Sequence, residues 1–185
     1  MEIPLSLSSH SPDRLVYGLP RWYRAAMALV LAALATGIAL GGGRPGPMAW
    51  TILVLVALGG LYEDNWSFDA GRGRVVHRVG LSFAANASVF QFAAIERFRL
   101  VPVVAGTIPG SEAEREGKAA ALEGRRADDH GPRRFRHRKP FLDLVMECAD
   151  GRRCLIDHLP ARRAGRLREA GDRIAALCGK PLVAG

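Results

Sequence analysis

Two charge-free runs, a series of alternating apolar segments at hairpin spacing and one closing amphipathic stretch describe a membrane α-hairpin followed by an α+β domain. In that domain an antiparallel sheet structure is closed by a C-terminal helix. The 185 residues carry 26 Lys and Arg against 18 Asp and Glu, a net charge of +8. Mean hydropathy is near zero, but that average conceals two solvents. Residues 25–62 hold a single charge, Arg44, whereas residues 63–185 carry 22 basic and 16 acidic side chains, a net of +6. This composition excludes a collagen-like, disulfide-rich or wholly disordered chain. Three cysteines, Cys148, Cys154 and Cys178, with no CxxC pair argue against a disulfide framework or a zinc site.

Residues 1–20 read as an N-terminal tail and residues 21–62 as a transmembrane hairpin. Ala25–Leu40 (AAMALVLAALATGIAL) and Met48–Leu61 (MAWTILVLVALGGL) carry no charge, and GGGRPGP turns between them. A helix of about 16–19 residues spans about 24–28 Å, short for a hydrocarbon core of about 30 Å but workable. Trp22, Tyr23, Trp50 and Tyr62 suit the two interfaces. Ala33, Gly37 and Gly41 fall at i, i+4 and i+8, a small-residue stripe on which the second helix can pack. Arg14, Arg21 and Arg24 precede the hairpin and Arg72, Arg74 and Arg78 follow it, with Arg44 alone in the turn. The positive-inside rule then places both termini in the cytoplasm of a multi-pass bacterial inner (plasma) membrane protein. A rival reading is a signal peptide cleaved after Ala33-Leu34-Ala35.

Residues 63–181 read as the cytoplasmic domain. Asn65–Asp69 is a short strand, AGRG a turn, and Arg74–Ser82 a strand rich in β-branched residues. Ser88–Phe92 follows, then Arg97–Val104, in which Arg97, Arg99 and Val101 alternate against Phe98 and Leu100. Residues 105–137 lack large apolar side chains and form a mobile insertion, within which a short helix fits Ser111 to Leu122. Pro140–Cys148 alternates again, with Leu142, Leu144, Met146 and Cys148 on one face and Asp143, Val145 and Glu147 on the other. Its partner is Arg152–His158. A three-residue loop, Ala149-Asp150-Gly151, pairs Met146 with Cys154 and keeps apolar residues together, with Gly151 left-handed. Cys148 and Cys154 then sit on a diagonal about 7–8 Å apart, too far for an easy bridge. Pro160–Cys178 is the closing helix, with Leu167, Ala170, Ile174, Leu177 and Cys178 on one face, ended by Gly179 and Pro181.

The run Trp66, Phe68, Asp69, Gly73, Val75, Arg78 and Gly80 (W-x-F-D…G-x-V-x-x-R-x-G), preceded by a hairpin and followed by a final helix, resembles the bacterial pleckstrin-homology-like (PH-like) membrane proteins. The layout is similar to that of the photosystem I assembly proteins of plastids and cyanobacteria. The likeness covers the chain from Arg21 and its motifs are structural. It implies a split barrel of two sheets capped by the C-terminal helix, acting as an adaptor, in assembly, or at a lipid surface. It carries over no catalytic residues, and the insertion at 105–137 departs from compact versions of the pattern.

No catalytic or cofactor signature stands in the chain. His10, His77, His130, His137 and His158 form no HxH, HExxH or Cys/His spacing. Cys154, Asp157 and His158 are strand neighbours, which point to opposite faces. AGRG opens no helix, so it offers no nucleotide cradle. The strongest local signal is PRRFRHRKP, where Arg133, Arg134, Arg136, Arg138 and Lys139 surround Phe135. Such a run suits an anionic lipid surface, where each cation adds about 1 kcal/mol, or an acidic protein partner. A solvated strand entrance is the bland alternative, and a membrane tether disfavours nucleic acid. The expectation is a non-enzymatic inner-membrane accessory or assembly protein that binds a protein partner. A lipid-surface sensor and an enzyme of unknown chemistry are the alternatives.

Overall fold

The computed structural model describes residues 5–41, 46–104, 112–123 and 140–184. The elements run β1 (Ser6–Ser11), β2 (Arg14–Gly18), α1 (Arg21–Leu40), α2 (Pro47–Leu61), β3 (Tyr62–Asp69), β4 (Arg74–Leu81) and β5 (Asn86–Gln91). There follow β6 (Ile95–Val104), α3 (Glu112–Glu123), β7 (Pro140–Cys148), β8 (Arg153–Pro160), α4 (Ala164–Cys178) and β9 (Leu182–Ala184). They make a five-stranded sheet in the order β1-β2-β3-β4-β5 and a four-stranded sheet in the order β8-β7-β6-β9. The chain divides into two compact units, one of Met1–His10, Val16–Ser67 and Val76–Val89, the other of Ser11–Leu15, Phe68–Val75 and Phe90–Gly185.

The first unit contains the two apolar helices. Tyr23, Met27, Leu31, Leu34 and Ile38 form a half-buried stripe on α1, matched on α2 by Ala49, Leu53, Val56 and Gly60. Glycine permits the approach. A Cβ on Gly59 would lie 2.8 Å from Met27 Cε, and one on Gly60 would lie 3.4 Å from Met27 Cβ. The Tyr23 hydroxyl donates to the Gly59 carbonyl at 3.4 Å, and Arg24 pairs with Glu63 at 2.9 Å. Neither helix fully buries a residue, and Leu29, Leu40, Trp50 and Leu55 stand exposed.

Length separates the two helices and corrects the expected localisation. α1 has 20 residues and spans about 30 Å, enough for a hydrocarbon core. α2 has 15 and reaches only about 22 Å. It cannot start before Pro47, and Tyr62 is already extended at φ −71°, ψ 135°. Among the described residues one helix, Arg21–Leu40, is therefore long and apolar enough to cross a membrane, and a multi-pass inner-membrane protein with both termini cytoplasmic is not supported.

Residues 1–20, read from sequence as a tail, supply β1 and β2, with Leu15 and Tyr17 buried. On β3, Trp66 is buried and stacks on His77 with ring centroids 3.9 Å apart. Strands β3 to β5 keep the expected order, each shifted by one to three residues at its ends.

In the second unit the four-stranded sheet buries one face. Phe98 and Leu100 of β6, Leu142, Leu144 and Met146 of β7, and Leu167 and Ile174 of α4 are essentially inaccessible. Each such side chain contributes about 1.5–3 kcal/mol relative to exposure. β6 and β7 are antiparallel, pairing Leu100 with Leu144 and Arg97 with Glu147. β7 and β8 pair Met146 with Cys154 in the preferred register, and Gly151 turns at φ 83°. The register then shifts, so Val145 faces Leu155 while Leu144 faces Asp157, a bulge that takes up Ile156. The three cysteines are free.

The split barrel closed by a C-terminal helix is the second correction. Among the described residues the two sheets are not closed and no barrel forms, and the fold is a mixed α/β one. α4 does not end the domain as a lid. Gly179, left-handed at φ 64°, stops it, and β9 then pairs in parallel with β6, Phe98 opposite Leu182. A parallel neighbour requires a crossover, and α4 is that crossover.

Within the segment expected to be a mobile insertion, residues 112–123 form α3. It lies against the end of β6, where a Cβ on Gly117 would come within 2.8 Å of Val104 Cγ2. Ala121 is buried, and Arg168 of α4 donates to the Leu122 carbonyl at 2.9 Å.

Candidate functional site

The face of the four-stranded sheet opposite its buried core carries the densest chemistry among the described residues. Strand alternation puts Phe98 and Leu100 inward and hence Arg97, Arg99 and Val101 outward. On β7 the same rule turns out Phe141, Asp143, Val145 and Glu147. On β8 it turns out Arg153 and Leu155, and the bulge brings His158 back to this face opposite Asp143.

Glu147 is the centre of the cluster. Its side chain is only 7% exposed, and three guanidiniums converge on it. Arg97 Nε lies 2.5 Å from Oε2, Arg153 Nε 3.1 Å from Oε1, and Arg99 Nη1 3.8 Å from Oε1. The Arg97 hydrogen bond holds the Glu147 carboxyl below the usual carboxylate range against the opposing effect of burial; the charges of Arg97, Arg153 and Arg99 act in the same sense. Arg97 is raised in turn, chiefly by its hydrogen bond to Glu147. Arg99 keeps a buried Nε without an acceptor. Four residues back along β7 from Glu147, Asp143 Oδ1 meets His158 Nδ1 at 2.5 Å, and the imidazole stacks on Phe141 at 4.4 Å.

Between these groups runs a groove of about 340 Å³ whose apolar floor is Val101, Val145 and Leu155. Leu155 is 53% exposed. The carboxylates are sunk and the cations are not. Glu147 and Asp143 are 7% and 18% exposed, against 35% for Arg99 and 69% for Arg153. A ligand entering the groove thus meets guanidinium groups beside aliphatic side chains. Glu96, 55% exposed, lies 3.6 Å from Arg97.

The site residues expected from sequence are not those of this cluster. Arg133, Arg134, Phe135, Arg136, Arg138 and Lys139 lie outside the described residues. Ala33, Gly37 and Gly41 stand exposed on α1, and a Cβ on Gly37 would meet nothing within 4 Å. The close glycine contacts with α1 come instead from Gly59 and Gly60. The outward row was half visible in the alternation of RFRLV and PFLDLVMEC. The pairing of Pro140–Cys148 with Arg152–His158 was visible too, whereas that of Pro140–Cys148 with the Arg97–Val104 strand was not. Among the described residues no group of three His, Cys, Asp or Glu side chains is placed to hold a metal ion. Burial pushes the Cys178 thiol up to about 12.

A scan against protein-family models finds no match, and a search of curated proteins finds none either.

Proposed function

We propose that the protein is a membrane-attached, non-enzymatic accessory factor that binds an acidic segment of a protein partner on the outer face of its four-stranded sheet. The observation that carries this reading is the Glu147 cluster. Three arginines are held in place by one sunken carboxylate, and two of them, Arg99 and Arg153, line a groove with an apolar floor that none of the described residues fills. Preorganised arginines beside aliphatic floor residues suit a strand or loop that alternates acidic and apolar side chains. α1 supports attachment to a membrane by its length, its lack of charge after Arg24 and the exposure of its apolar side chains.

A direct titration tests the site. The full chain in detergent micelles is mixed with a fluorescent peptide of alternating Leu and Glu, and anisotropy is followed. Binding is expected to weaken at least about tenfold with Arg99→Glu plus Arg153→Glu, and similarly with Leu155→Asp, as for charges and apolar anchors at an interface core. Equal affinity for a Leu/Lys peptide, or no loss in either variant, refutes the reading.

A further inference from the structure

We infer that the pocket where β1, β2 and β3 meet the first turn of α1 binds a phosphate group, that of an anionic lipid headgroup. The inference rests on the reading that α1 enters a bilayer.

The pocket has a volume of about 370 Å³, and its polar lining is Ser6, Ser8, Asn65 and Arg21, with Trp22 at its edge. Three strands build it. Ser6 and Ser8, two apart on β1, share a face. Gly18 on β2 leaves room beside them. A Cβ at Gly18 would overlap the Asn65 amide oxygen and lie 2.9 Å from the Asp64 carbonyl, so glycine alone lets the Asn65 amide lie across β2. The Ser6 hydroxyl donates to the Gly18 carbonyl at 3.4 Å, which fixes β1 against this floor.

The cation of the pocket is available. Arg24 is engaged with Glu63, whereas Arg21 is exposed and, among the described residues, has no ion pair. The start of α1 adds to the same sign. Pro20 precedes it with no side-chain cap, and its first turn holds no acidic residue. With the Ser6 hydroxyl engaged by Gly18, a guanidinium (Arg21), one hydroxyl (Ser8) and a carboxamide (Asn65) stand around one hollow, donor types that a phosphate uses. Their height matters as much as their chemistry. If α1 crosses the hydrocarbon, its first residues stand at the headgroup level, and Trp22, 60% exposed, is the residue type that anchors there.

The experiment uses the full chain and four readouts. Native mass spectrometry from detergent measures retention of phosphatidylglycerol against phosphatidylcholine. Competition with inorganic phosphate separates a headgroup from a free ion. Flotation with phosphatidylcholine vesicles reports membrane attachment by itself, and calorimetry with inorganic phosphate reads the pocket without lipid. The variants are Arg21→Ala, the pocket-filling Ser8→Phe, and Arg72→Ala as an equal loss of charge at a residue that does not line the pocket. Selective retention of phosphatidylglycerol is expected to fall about tenfold in Arg21→Ala and Ser8→Phe, the size of one lost charge-assisted hydrogen bond. It is expected to hold in Arg72→Ala, with flotation equal in all four proteins and little effect of millimolar phosphate. Selectivity that survives both pocket variants overturns the site. Strong competition by inorganic phosphate keeps the phosphate site but overturns the headgroup as its source. Loss of flotation in the unaltered protein overturns the membrane reading, and phosphate binding lost in Arg21→Ala then still supports the pocket.

Discussion

Glu147 is the residue on which the groove depends, and its electrostatics give a signed expectation. Its carboxyl is held below the usual carboxylate range, first by the Arg97 hydrogen bond. A group whose folded pKa is lowered contributes stability that is fully present above its unfolded pKa and lost as pH falls through the folded one. Denaturant unfolding from pH 6 down to pH 3 should therefore show an acid-side loss that Glu147→Gln flattens. A variant with the same acid limb as the unaltered protein would show that the three arginines do not act on Glu147. Gly179 gives a second expectation. At φ 64° it ends α4 in a conformation that costs other residues strain, so Gly179→Ala should cost about 1 kcal/mol in the same unfolding measurement. Local geometry of this kind was legible in the sequence: two of the positive-φ glycines, Gly151 and Gly179, follow from turn and cap rules applied to a few neighbours. Glu147 was not. Its outward direction followed from alternation, but its burial requires Arg97 and Arg99 from one neighbouring strand and Arg153 from the other.

At the scale of elements, periodicity located what was long and strongly patterned. β7 was found with both ends correct, and the buried face of α4 matches the expected stripe, with Leu177 only half-buried. Elements too short to show a period were lost. β9 has three residues after Pro181 and reads as a tail until β6 is seen to offer it an edge. β1 was hidden by its polar, serine-rich sequence, and β2 by having only five residues. Packing of α4 can be tested at Gly171, where a Cβ would lie 3.2 Å from both Leu144 Cδ1 and Leu182 Cδ2. Gly171→Leu should overpack this contact and destabilise the protein by about 1–3 kcal/mol, read as a lower denaturant midpoint. An unchanged midpoint would mean that α4 and β9 yield more easily than their packing implies.

At the scale of the whole molecule, composition and length pulled apart. Both apolar runs look equally fit for lipid when only charge is counted, yet Pro47 and the extended backbone at Tyr62 cut α2 to 15 residues. The open sheets follow from a similar limit. Strand spacing suggests an antiparallel meander, but whether its ends join depends on which edges other strands occupy, and β9 occupies one of them. Membrane attachment through α1 predicts that Val30→Arg, mid-helix and exposed to lipid, weakens flotation, since arginine at a helix centre costs about 2.5–3.5 kcal/mol. Flotation unaffected by that charge would argue against α1 as the anchor.

Partner binding at the groove is tested most directly by photo-cross-linking from Leu155 in native membranes, with the same probe at Val89 of β5 as a reference. The expected result is one discrete protein adduct from Leu155, absent from Val89 and lost with Arg99→Glu plus Arg153→Glu. Sequencing of its cross-linked peptide should show Asp or Glu residues beside apolar ones. No adduct, an adduct equal at both positions, or one that survives the charge reversal would contradict partner binding at this face.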